Sequence, residues 1–183
     1  MAFDRDAVVA EYRRNVAELQ SFLAGNSPEA LGRRSAGTRW SNEELLYHMV
    51  FGYIVVLALL PLVRFFGRLP VPVNRGFAWL LNAGTAPFDI VNYWGSKAGA
   101  HIVTRRRMAA ALLRVTAALE RRLRRETESG LARRMHFPTR WDPFFTETMT
   151  LADVYAYPVA HFDFHATQLS LRSAPGGQAG TGK

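Results

Sequence analysis

Residues 49–63, MVFGYIVVLALLPLV, contain no charged side chain, and Arg64 is the first to follow them. A helix built from such a run is apolar all round, so it has no face to give to water and must be covered on every side. A membrane would cover it, but the run is shorter than the roughly 18 to 20 residues that a span needs. Gly52 and Pro61 also interrupt it. The expectation is therefore a buried core helix with no membrane span. A bundle of four helices alone leaves the outer side of each one open, so a further segment has to close over this one.

The rest of the chain supplies the partners. Val9, Tyr12, Val16, Leu19 and Leu23 recur at spacings of three and four, one stripe of a first helix, which GNSP at 25–28 stops. Trp40 precedes SNEE, in which Ser41 and Glu44 form a capping box that opens the second, apolar helix. The stretch 69–99 mixes Phe77, Trp79, Leu80, Phe88, Tyr93 and Trp94 with Pro, Gly and Asn. It reads as short helices and turns that pack over the second helix or make a dimer contact.

A third helix is expected over about 101–128, with Met108, Leu112, Val115, Leu119 and Leu123 on its buried side and Arg107, Arg114, Arg121 and Arg125 on another. The two prolines of RMHFPTRWDPFF forbid a helix and leave a structured aromatic loop. Thr150 and Asp153 form a second capping box, opening a fourth helix to about residue 172 with a kink or restart at Pro158. No strand pair is expected. The reading is all-α, a single domain over 1–172, with a tail at 173–183 that has no apolar periodicity and reads as disordered.

With no cysteine among 183 residues, the chain has no disulfide, no thiolate metal ligand and no nucleophilic thiol of its own. The N-terminus opens as a helix rather than as a secretion signal, and a cytoplasmic address is expected. The net charge of +8 is nearly all arginine, since Lys97 and Lys183 are the only lysines. An arginine face can bind nucleic acid, but no aromatic residues interleave with it to make a stacking platform, so no nucleic-acid partner is expected.

YPVAHFDFHATQLSL at 157–171 carries the chemistry. Residues four apart on a helix differ by about 40° around the axis and about 6 Å along it, so His161 and His165 can converge on one ion. Two hydrogen-bonded histidines at a core edge would give the same pattern. A third ligand has to come from another helix, and His48 is the natural donor. Three imidazoles leave open positions for water or substrate, the arrangement of a catalytic site. Gln168, one turn past His165, could orient a ligand, and Tyr157, one turn before His161, could donate a hydrogen bond at the pocket wall. Glu44, one turn before His48, is a candidate carboxylate behind the ligands, although capping already accounts for it. Asp163 should point away.

The pairing of TRWSNEELLYHM with YPVAHFDFHATQL resembles the DinB superfamily, with Trp40, Leu45, Leu46, Gln168 and Leu169 also agreeing. The resemblance implies a four-helix bundle of up-down-down-up topology, with a bulky helical and aromatic insertion between the second and third helices. It also implies a divalent metal held by His48, His161 and His165. Zinc is the first expectation, with nickel, iron or manganese as alternatives. Relatives with assigned chemistry include transferases and isomerases that use mycothiol or bacillithiol. The functional expectation is a homodimeric, metal-dependent S-transferase or hydrolase acting on a small-molecule thiol and an electrophilic substrate. The alternative is a non-catalytic metal-binding or interaction protein of the same fold.

Overall fold

The structure, a computed structural model, describes residues 3–171; the tail at 173–183 lies outside the described residues. It is mostly helical. Four helices, α1 (Arg5–Gly25), α3 (Asn42–Phe66), α6 (Arg105–Leu123) and α8 (Leu151–Ala166), pack around the core, with two short ones, α2 (Pro28–Gly32) and α7 (Glu128–Leu131), in the connections. Between α3 and α6 lie α4 (Val71–Ala83) and α5 (Thr85–Ile102). Helix α3 packs against α8, α6 and α5, and α1 packs against α6 and α8.

Both capping boxes form. Ser41 accepts from the Glu44 amide while the Glu44 carboxylate accepts from the Ser41 amide, and Thr150 and Asp153 repeat the exchange at the start of α8. The core between α1, α3 and α8 is apolar apart from a few buried polar side chains. Tyr12 donates to the Tyr155 carbonyl at 2.5 Å, and Asn15 donates to the Tyr53 hydroxyl at 2.9 Å.

The apolar run differs from expectation in two ways. Gly52 and Pro61 do not interrupt it: α3 is continuous over 25 residues, long and apolar enough by length and composition to cross a membrane. Pro61 removes the amide that would bond the Leu57 carbonyl one turn back. Arg122 of α6 replaces it, its guanidinium donating to that carbonyl at 3.1 Å. Covering is also incomplete. Helices α5, α6 and α8 pack against α3, yet only 33% of its apolar stretch is buried, and Leu59 and Leu62 remain 39% and 38% exposed near its end.

Stretch 69–99 is more regular than its composition suggests, forming helices of 13 and 18 residues. Pro72 and Pro87 fall within the first turns, where amides need no helical partner, so neither breaks anything. Helix α5 then runs through His101, and the next helix starts later than expected, at Arg105, capped by the Thr104 side chain. A strand pair is also present. Strands β1 (Arg134–His136) and β2 (Thr148–Thr150) pair antiparallel with Met135 opposite Met149. Three residues are too few to display alternation in a sequence. Pro158 sits inside α8, which continues through it.

Candidate metal centre

Helix α3 presents His48 two turns after its capping box, α8 presents His161 and His165 near its end, and the contact between the two helices brings the three rings together. One ligand nitrogen from each lies within 4.8 Å of the others. The ring centroids form a nearly equilateral triangle with sides of 4.9, 4.7 and 4.6 Å. Nε2 of His48 and Nε2 of His161 face each other at 3.2 Å.

Two of the rings are held from behind. His165 donates from Nδ1 to the Gln168 amide oxygen at 2.7 Å, and His48 Nδ1 pairs with the Ser96 hydroxyl at 3.1 Å. Nδ1–H on His165, and on His48 in the tautomer that donates to Ser96, leaves the Nε2 lone pair for the shared centre. His161 is positioned by shape. A Cβ on Gly52 would stand 2.8 Å from His161 Nδ1 and 2.9 Å from Cε1, so only glycine leaves room for the ring. His161 Nδ1 is buried and has no hydrogen-bond partner among the described residues.

Burial holds all three imidazoles neutral. Desolvation, with His165 nearby, pushes the His48 pKa down to about 3. Desolvation and both neighbouring histidines hold His161 well below its ordinary value. Desolvation also lowers His165, while Gln168 and Asp142 pull it partly back. Neutral imidazoles are the form that binds a metal.

The donor set fits a divalent ion. Zinc–nitrogen bonds of about 2.0–2.1 Å in tetrahedral array place ligand nitrogens about 3.3–3.4 Å apart. The observed 3.2 Å between His48 and His161 is close to that edge. Three ligands leave a further position facing a cavity of 270 Å³ that all three histidines line.

The walls combine Trp40 and the expected Tyr157 with Asp142, which the sequence reading did not single out. Trp40 stacks on His48 with centroids 4.4 Å apart. Tyr157 lies beside His161 and donates to Asp142 at 2.7 Å. Asp142 comes from the loop between β1 and β2 and also accepts from the Phe144 amide at 2.9 Å. Burial raises its pKa, opposed by those two hydrogen bonds and by His165. Burial and Asp142 push the Tyr157 hydroxyl upward, so it stays protonated. No local motif ties Asp142 or Ser96 to the histidines, because they are joined to them only through the fold. Gly52 was visible, but as a helix breaker.

The remaining candidates fall outside. The Glu44 carboxylate is taken up by the capping box, with one oxygen 3.8 Å from His101, and makes no hydrogen bond to the triad. Asp163 turns away, pairing with Arg14 at 2.7 and 2.8 Å.

The sequence model of the DinB superfamily matches residues 10–169, a span that includes all three histidines. The chain belongs to the DinB superfamily. No curated protein and no solved structure matches it at a significant level. This DinB-superfamily chain thus combines the family's helical character with three clustered imidazoles that could hold a metal ion.

Proposed function

We propose that this protein is a divalent-metal-dependent enzyme that transfers a low-molecular-weight thiol to an electrophile. The observation that carries the reading is the convergence of three neutral imidazoles, two held from behind by Ser96 and Gln168, on a point beside a cavity. When bound, a zinc or similar ion supplies Lewis acidity that lowers the pKa of a thiol or water toward neutrality.

The chain's own residues set up the rest. His48, His161 and His165, all neutral, would hold the ion without cancelling its charge, which would favour an anionic sulfur. With no cysteine in the sequence, the thiol comes from outside. Its sulfur forms the new bond to the electrophilic carbon as the leaving group departs, its proton having gone to solvent. Tyr157, protonated and donating to Asp142, keeps its hydroxyl oxygen at the cavity wall as an acceptor. A cytoplasmic address suits this, since small thiols are kept reduced there.

The proposal includes a fold of up-down-down-up topology in one domain, with α4 and α5 as the insertion. The closed chain of contacts from α1 to α6, α3, α8 and back to α1 supports it. The exposed stripe of Ile90, Val91 and Trp94 on α5 supports a homodimer.

The test is turnover of thiol and electrophile pairs by the metal-loaded protein, with His48→Ala as control. Thiol consumption that requires His48 is the expected result. Hydrolysis without thiol would move the assignment to a hydrolase. Absence of turnover with metal bound would favour a non-catalytic metal-binding protein.

A further inference from the structure

The cavity beside the triad is longer than a small thiol and a small electrophile need. His48, Gly52, Val56, Leu59 and Val63 all line it, at spacings of three or four along α3. It therefore follows one face of that helix from His48 to Val63, about 22 Å at 1.5 Å per residue. Facing walls come from Phe77 and Leu81 of α4 and from Met135 and Met149 of the strand pair.

Polarity is confined to one end. Tyr157, Asp142 and the three histidines gather at the triad, and Asn92 lies one turn before Ser96 on α5. From Val55 to Val63 every α3 residue on the cavity is apolar. Trp141 spends its indole N–H on the Leu81 carbonyl at 2.8 Å and offers the cavity only its ring. A polar substrate lying there would give up hydrogen bonds to water with none returned. At the far end Leu59 and Leu62 both line the cavity and reach solvent, making an apolar mouth.

We infer that the cavity binds a substrate bearing a hydrocarbon chain, with its reactive polar end at the histidines and its chain along α3 from Phe51 to Val63. A volume of 270 Å³ lies just below the usual range for ligand sites, about 300–1,000 Å³. Spread along 22 Å of helix, it suits a slender chain rather than a fused ring system. The assignment rests on the proposed enzymatic reading for the reactive end alone, because the apolar channel exists with or without an ion.

The test uses n-alkanols from butanol to dodecanol, titrated calorimetrically into the full-length metal-free protein, so that the hydroxyl has no ion to coordinate. Affinity should rise about fourfold with each added methylene and then level off when the channel is full. Leu59→Glu and Leu62→Gln, both at partly exposed positions that a folded chain tolerates, should flatten that dependence while metal content after zinc loading stays unchanged. His48→Ala should keep it, which separates the channel from the metal reading. Affinity that does not grow with chain length would overturn the inference. So would growth that survives both leucine substitutions, since that places the alkanols on the exposed face of α5.

Discussion

Gly52→Ala tests the way the structure builds its metal centre. In an ordinary helix interior this exchange stabilises by about 0.5–1 kcal/mol, because glycine gives up more backbone freedom on folding. At position 52 the new methyl would meet His161 at 2.8 and 2.9 Å. Ordinary van der Waals contact begins near 3.4 Å, so the ring has to move by about 0.6 Å. It is only 3% exposed, and the room it has is the cavity beside the triad, away from its packed position. Overpacking of this kind costs about 1–3 kcal/mol, so the helix gain is cancelled or reversed. The displacement also exceeds the roughly 0.5 Å within which such a constellation must be held, so Nε2 leaves its place opposite His48. Zinc affinity, measured against a competing chelator, should fall by at least tenfold, and a thermal melt of the metal-free protein should show no gain in stability. Gly76→Ala in α4 is the control: a Cβ there meets nothing within 4 Å. It should leave zinc affinity unchanged and raise the melting temperature. A Gly52→Ala protein with wild-type zinc affinity and a raised melting temperature would refute the packing argument.

Three further outcomes are expected. Ser96→Ala removes the hydroxyl behind His48 Nδ1 and should weaken zinc binding about 10- to 100-fold, as read by the same chelator competition. Arg122→Ala leaves the Leu57 carbonyl without the donor that replaces the Pro61 amide; urea unfolding should show a loss of about 1 kcal/mol, and Arg122→Ala in a Pro61→Ala background should lose less. The metal-free protein should lose stability in acid. Its three histidines have folded-state pKa values below the ordinary 6.5, His48 at about 3. The unfolded chain therefore binds protons first. Stability is full above about pH 6.5 and declines as pH falls toward 3, which urea midpoints at pH 7.5 and pH 5 will show; equal midpoints would contradict it.

The parts legible in the sequence are those written locally. Stripes at spacings of three and four marked α1 and α6, capping boxes marked the starts of α3 and α8, and a four-residue spacing marked His161 and His165. What was not legible depends on distance or context. Pro61 looked like a break because its remedy, Arg122, lies on another helix. Stretch 69–99 read as short helices and turns because a proline in a first helical turn, as at Pro72 and Pro87, and one in a loop are the same letter. Ser96 and Asp142 reach the site from 48 residues beyond His48 and 15 residues before Tyr157, with no pattern to announce them. Gly52 carried the least visible information: its value is the absence of a methyl where an imidazole has to lie.

The most direct measurement is an anomalous-scattering map of crystals grown with zinc, recorded on either side of the zinc absorption edge. The account predicts a single strong site within bonding reach, about 2.0–2.1 Å, of Nε2 of His48, His161 and His165 together. A map with no peak there, or with zinc only at surface side chains while the three rings remain bonded to one another, would contradict it.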